Sequence, residues 1–320
     1  MTTTEVAIAS FAVALVATPV MIRVAVRTGI VDRPGELKDQ STAVPYLGGV
    51  AVFAGLAVGC LTGRASVLVP LTVALVLGVA DDRFDLAPGF RLVGEVGVGA
   101  LVLVATPVRF EGVLAVILVT AVTVVIVNGV NLMDGLDLLA GGVAAVAALS
   151  FAILLDGPGR QLAVALGAAL VAFLLFNRPP AKIYLGDGGA YLLGAALAVL
   201  VAEAWAPRRT LEVGLAALAL VALPAAELSF AVIRRLRGRR SLLAGDRGHP
   251  YDRLVARGWP RTGASLAYIG VEALLGLGAV ITAHHFGVRA IITFDVATAA
   301  VLVTLAAATG ALSPDQGAST

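Results

Sequence analysis

GVLAVILVTAVTVVIVNGVNLMDGLDLLAGGVAAVAALSFAILL, residues 112–155, decides the fold. Residues 112–127 are apolar and carry no charge; Asn128, Asn131, Asp134 and Asp137 follow within ten residues; the chain is apolar again over 138–155. Apolar runs of this kind are read as membrane helices. Carboxylates beside them are costly in a bilayer, so their presence asks for a function.

The same alternation runs outward in both directions. Five polar islands interrupt the chain: ELKDQSTAVPYLGG (Glu36 to Gly49), DDRFDL (Asp81 to Leu86), NGVNLMDGLD (Asn128 to Asp137), NRPPAKIYLGDGG (Asn177 to Gly189) and GDRGHPYDRL (Gly245 to Leu254). Between them lie about eleven apolar segments, near 5–22, 47–63, 66–80, 92–106, 112–127, 138–155, 161–176, 188–204, 211–233, 262–283 and 288–310. Of the 320 residues, 59% are hydrophobic and 14% charged, against about 25% charged in soluble domains. The expected fold is therefore all-α: a polytopic integral membrane protein of ten or eleven transmembrane helices. It forms one domain over residues 1–320, with a short polar tail at 311–320. Cys60 stands alone, which excludes an intrachain disulfide. No basic residue precedes the first apolar run, so that run is expected to remain as a span.

Charge sets the expected sidedness. Alternate connections hold seventeen and six of the 23 basic residues, and all five islands fall with the seventeen. The positive-inside rule puts that set, and the site it builds, in the cytoplasm. The N-terminus is then outside. The C-terminal tail is cytoplasmic with eleven spans and outside with ten. Charges crowded at one face, with no internal repeat, argue against a transporter, which places them near span centres in repeated halves.

Each island has a chemical reading and a plainer one. Asp81 and Asp82 are adjacent like charges that call for a cation or proton; the plainer reading is a solvated helix end partnered by Arg83. Asn128, Asn131, Asp134 and Asp137 recur every three positions, which on a helix puts them along one edge. Asn both donates and accepts, which suits a nucleobase, sugar or phosphate; the alternative is an Asx-rich turn. Asp187 in GDGG heads a helix whose free N–H groups suit phosphate, and is a candidate Mg²⁺ ligand beside substrate oxygens; the alternative is a helix cap. His249 and Arg253 suit an anionic substrate at the membrane surface. The Arg234 to Arg240 run reads as a topology anchor on anionic lipid.

Taken together and in order, these islands resemble the polyprenyl-phosphate N-acetylhexosamine-1-phosphate transferases over residues 38 to about 260. VPYLGGVAVF (Val44 to Phe53) is similar to the family's early Pro/Gly–Gly stretch. DDRFDL, with Arg91 after it, resembles its Asp-pair motif; NGVNLMDGLDLLAGG its N-x-x-N-x-x-D-G-x-D motif; AKIYLGDGGAYLLG its F-x-G-D-x-G-S-like motif, with Asn177 at the family's ten-residue offset. Four positions depart. Leu138 stands where the family usually has Gly and Ala190 where it has Ser. The H-x-H-H run is reduced to HPYD, in which Tyr251 and Asp252 replace two histidines. That loop places the chain nearer the N-acetylglucosamine-1-phosphate branch than the peptidoglycan phospho-MurNAc-pentapeptide translocase; a non-catalytic lipid-binding relative is the remaining alternative.

The resemblance implies an enzyme of the bacterial cytoplasmic membrane. It would move N-acetylhexosamine-1-phosphate from a UDP-sugar to an undecaprenyl or decaprenyl phosphate and release UMP, with Mg²⁺ or, in its place, Mn²⁺. It implies no nucleic acid, and homodimers are common in the family. Asp81, Asp82, Asp134 and Asp137 are the expected catalytic residues. Lys38, Asn128, Asn131, Asn177, Lys182, His249 and Arg253 are the expected substrate contacts, and Asp187 with Asp82 the metal ligands. A one-step displacement and a covalent aspartyl intermediate both fit this set.

Overall fold

Helices form where the apolar runs predict them, and most run on into the islands. The computed structural model describes residues 1–32, 43–242 and 248–313. In chain order it has α1 (Thr3–Thr28), a two-residue β1 (Val31–Asp32) antiparallel to β2 (Val44–Pro45), and α2 (Gly48–Thr62). A 3₁₀ turn (Ala65–Val67) leads into α3 (Leu68–Phe84), followed by α4 (Pro88–Ala105), α5 (Gly112–Met133), α6 (Leu139–Leu154), α7 (Gly157–Asn177) and α8 (Gly186–Ala204). The chain finishes with α9 (Leu211–Ala219), α10 (Ala222–Arg237), α11 (Pro250–Ala256), α12 (Arg261–His285) and α13 (Val288–Ala308). The fold is the all-α polytopic one expected.

Eight helices are long and apolar enough to cross a bilayer, and α9 with α10 makes a ninth crossing bent by 55°. The run 211–233 does not announce that bend. Pro224, which has no N–H to donate, falls in the first turn of α10, where a helix tolerates it. α2 and α6 have only 15 and 16 residues, about 22–24 Å at 1.5 Å per residue. Each nevertheless runs from one face of the bundle to the other. Gly48 at the start of α2 donates to the Tyr184 carbonyl, while Gly63 just past its end meets Gln161 and Pro158 at the start of α7. With these two shorter helices the described residues hold eleven apolar elements, nine of them long enough to cross when α9 and α10 count as one. At the chain's end, Arg234, Arg237 and Arg257 donate to the carbonyls of Ala311, Leu312 and Ala308. The last helix therefore ends on the same face as the Arg-rich connection, the arrangement expected for eleven spans.

α8 is the axis. All of its residues from Gly188 to Ala204 are buried, as befits a helix apolar all round. Gly and Ala line it at Gly188, Gly189, Ala190, Gly194, Ala195, Ala196 and Ala198, which lets α2, α3 and α5 approach closely without relying on a hydrophobic effect that lipid does not supply. Its far end is pinned by charge: Glu203, buried, pairs with Arg64 at 2.8 Å and Arg208 at 3.4 Å. Its near end, about 24 Å away at 1.5 Å per residue, begins with Asp187. The polar islands gather around that near end.

Candidate active site

Asp82 makes the centre of the site. The carboxylate, half-buried in the last turn of α3, accepts from the backbone N–H of Asp187 (3.0 Å) and of Gly188 (3.1 Å). It therefore caps α8 from another helix, in the favourable field of a helix N-terminus. Leu185, at the N-cap position of α8, offers no side-chain cap of its own. Gly186 makes the approach feasible: its φ is +74°, and a Cβ there would lie 2.8 Å from Asp82 Oδ2 and 2.5 Å from the Tyr46 carbonyl. The expectation of free α8 amides facing a phosphate is thus narrowed, because Asp82 takes those of Asp187 and Gly188.

The early Pro/Gly–Gly stretch frames this cap. Tyr184 donates to the Pro45 carbonyl, while Gly48 and Gly49 donate to the carbonyls of Tyr184 and Leu185. Tyr46 donates its hydroxyl to the Asp82 backbone carbonyl at 3.3 Å. Burial, then the neighbouring Asp82 charge, pushes the Tyr46 phenol above its ordinary range, which keeps it a donor.

Asp81 has a different station. It is 4% exposed and accepts from Arg91 (2.9 Å), Tyr191 (3.1 Å) and the Leu86 N–H (3.0 Å). Asp81 thus ties α3 to α4 and α8, and its carboxyl also stands beside that of Asp187.

The second motif is not one helical edge. α5 ends at Met133, with Asp134 as C-cap, so Asn128 and Asn131 lie on the helix while Asp134 and Asp137 lie in the turn beyond it. Asp134 then faces Asp187, Asp82 and Asp137; burial first, and those charges next, hold its carboxyl well above the usual range. Asp137 is also raised by burial, though the Ala181 N–H and Arg261 act against it. Asn131 is half-buried beside them, with no hydrogen-bond partner of its side chain among the described residues.

Three of the expected substrate contacts, Asn177, Asn128 and His249, have partners within the protein. Asn177, 6% exposed, accepts from the Leu138 N–H (2.8 Å) and donates to the Ile183 carbonyl (3.0 Å), tying the turn after α5 to the loop before α8. Asn128 donates to Glu95, a buried carboxylate of α4, and to the Val124 carbonyl (2.9 Å). Both of those partners are acceptors, so the Asn128 amide nitrogen faces them and its oxygen is the atom left over. His249, 3% exposed, is also turned inward, its Nδ1 2.9 Å from Glu227 Oε2. Lys182 is exposed beside the site; Arg253 is half-buried on α11. Lys38 lies outside the described residues.

Glu95 and Glu227 were not read from the sequence as site residues. The available signal was a lone carboxylate inside an apolar run, near 92–106 and 211–233, which a bilayer tolerates only with a partner or a function.

A divalent cation fits this chemistry. Asp82, Asp134 and Asp187 bring like charge together from the ends of α3, α5 and α8. Among the described residues no three His, Cys, Asp or Glu side chains close on one point as a complete metal cage. Mg²⁺ asks for less, since one or two carboxylates with phosphate oxygens and water complete its shell.

Comparison with known proteins places the chain in a family. Residues 64–204 match the family model described as Glycosyl transferase family 4. The chain is 29% identical over 298 residues to a probable undecaprenyl-phosphate N-acetylglucosaminyl 1-phosphate transferase of Bacillus subtilis, covering 86% of this chain and 83% of that one. It is 30% identical over 286 residues to the decaprenyl-phosphate N-acetylglucosaminephosphotransferase of Mycobacterium tuberculosis (72% and 70% covered). To the undecaprenyl-phosphate alpha-N-acetylglucosaminyl 1-phosphate transferase of Escherichia coli it is 25% identical over 296 residues (82% and 80%).

Proposed function

The chain belongs to glycosyl transferase family 4, and on that premise we propose that it transfers N-acetylglucosamine-1-phosphate from UDP-N-acetylglucosamine to a polyprenyl phosphate, releasing UMP. The observation that carries the reading is the meeting of Asp82, Asp134 and Asp187, from three helix ends, at one face of the bundle. A lipid phosphate can reach that face without leaving the bilayer, and a soluble nucleotide sugar without entering it. The positive-inside pattern supports placing this face in the cytoplasm, at a bacterial plasma membrane.

In this reading an oxygen of the lipid phosphate attacks the sugar-proximal phosphorus of the donor. A new P–O bond forms, the pyrophosphate P–O bond breaks, and its electron pair leaves on UMP. Such transfers are accelerated by placement and charge neutralisation more than by covalent chemistry. Asp134 and Asp187 would hold Mg²⁺, which when bound supplies neutralising charge to the pyrophosphate. Asp82 would take the remaining proton of the lipid phosphate, while its hydrogen bonds to α8 fix its height. Asn131 presents a side chain with spare donors and acceptors to the nucleotide sugar, and Asn128 an acceptor oxygen. Lys182 and Arg253 would meet phosphate. Asp81, Asn177 and His249 act by holding these groups in place.

The test is UMP release by the purified chain with Mg²⁺, undecaprenyl phosphate and a panel of UDP-sugars. Release with UDP-N-acetylglucosamine that requires both lipid and metal is the expected result. Folded protein that releases UMP with none of the donors overturns the reading.

A further inference from the structure

The HPYD loop departs from the family pattern at two positions, and the structure shows where both replacements lie. Asp252 is the third residue of α11, the helix that carries Tyr251, and its carboxyl faces His249, the N-cap residue. Tyr251 is 4% exposed and donates its hydroxyl to the Leu132 carbonyl at 2.7 Å. That carbonyl belongs to the last turn of α5, where carbonyls have no partner within the helix, and lies two residues before Asp134. The ring fills the space over Gly135, where a Cβ would sit 2.5 Å from the Tyr251 hydroxyl. Any side chain at Gly135 would push Tyr251 off Leu132.

A buried carboxylate fixes the ring from behind. Glu227 on α10, 2% exposed, accepts from the Tyr268 hydroxyl through Oε1 and pairs with His249 Nδ1 through Oε2. A carboxylate oxygen is an acceptor for both the Tyr268 hydroxyl and a His249 ring N–H. The His249 ring lies flat against Tyr251, with centroids 5.3 Å apart and planes 6° apart, and Tyr268 meets Tyr251 edge-on at 6.1 Å. Glu227 therefore sets His249 and Tyr268, and these two rings set Tyr251.

We infer that Glu227, His249 and Tyr251 are positioning residues that fix where α5 ends, and so where Asp134 and Asn131 stand against Asp187. The inference rests on the transferase reading for its catalytic consequence but not for its structural one. Tyr251 replaces a histidine of the family pattern with a longer side chain that reaches a backbone carbonyl, so the reduced HPYD loop is compatible with an assembled site.

The test compares the full-length wild type with Tyr251→Phe, Glu227→Gln and the double variant. Tyr251→Phe removes only the hydroxyl. The expected result is a kcat about tenfold lower, the effect of one hydrogen bond, with KM for UDP-N-acetylglucosamine within about twofold. Amide exchange in residues 133–139 should speed up about tenfold, through the Asp134, Leu138 and Leu139 N–H groups. Glu227→Gln should show the same split, and the double variant should lose no more than the stronger single one. Unchanged kcat and exchange in Tyr251→Phe overturn the inference, as do additive losses in the double variant. A Tyr251→Phe protein that merely unfolds passes the decision to Glu227→Gln, where a loss matching the loss of folded protein also overturns it. If the wild type transfers nothing, the transferase reading fails by itself, and exchange in the variants still decides the positioning.

Discussion

Asn177→Ala separates a brace from a substrate contact. Asn177 is 6% exposed and bridges the Leu138 N–H to the Ile183 carbonyl, at 2.8 and 3.0 Å. Truncation removes both bonds and leaves a donor and an acceptor in a buried place. A net hydrogen bond contributes about 1 kcal/mol, and a stranded buried group costs about 1–3 kcal/mol. Relaxation of the two loops and entry of water recover part of that, so the expected loss is about 2–4 kcal/mol. In a chain of 320 residues about 1 kcal/mol shifts Tm by about 1.5 °C, so a drop of about 3–6 °C should appear in a thermal melt of the detergent-solubilised protein. Turnover should fall with it, because the two loops carry Asp134, Asp137 and Asp187. Asn177→Asp should do no better: its oxygen replaces the amide nitrogen that donates to Ile183, and two acceptors then face each other. An unchanged Tm with a raised KM for the nucleotide sugar would refute this reasoning and return Asn177 to the substrate.

Three other outcomes follow from the same geometry. Asp82→Asn should cut turnover by about a thousandfold while the protein still inserts and folds: it loses the charge at the site and turns an amide N–H toward one of the α8 donors, so wild-type-like turnover would sink its role. Leu138, at φ +69°, occupies the left-handed region that costs a non-glycine residue about 1–2 kcal/mol; Leu138→Gly should be tolerated within about 1 kcal/mol, whereas Leu138→Val should melt several degrees lower. Burial holds the Asp252 carboxyl above its ordinary 3.8, with His249 opposing; the folded state then holds this proton more tightly than the unfolded state, and stability declines as pH rises from that ordinary value toward the raised one. The variant Asp252→Asn removes the charge, so its Tm should gain on the wild type as pH rises above about 4; a constant difference would contradict the assignment.

The eleven apolar segments were legible because a bilayer leaves few alternatives to an uncharged helix. Helix ends were less so, since α3, α5 and α7 continue through residues that look like loop: Asp81 and Asp82, Asn128 and Asn131, and Asn177. The members of the site were visible as islands, but their division of labour was not. Asp81 and Asp82 are neighbours with the same side chain, yet a helical step of about 100° turns one toward Arg91 and Tyr191 and the other toward the start of α8. Only tertiary packing separates them. Asn177 and His249 looked like ligands because polar residues at the end of a span call for a partner; the partners turned out to be Leu138, Ile183 and Glu227. Glu95 and Glu227 went unread because attention to the islands passes over single carboxylates inside spans.

The most direct measurement follows the phosphate. UDP-N-acetylglucosamine labelled in the phosphate next to the sugar is incubated with the purified chain, Mg²⁺ and undecaprenyl phosphate, and the label is traced. Transfer of sugar-1-phosphate puts the label in a lipid pyrophosphate, leaves UMP behind, and should vanish in Asp187→Asn. Label that leaves as UDP while sugar reaches the lipid, or that remains in the donor with folded protein, contradicts the account.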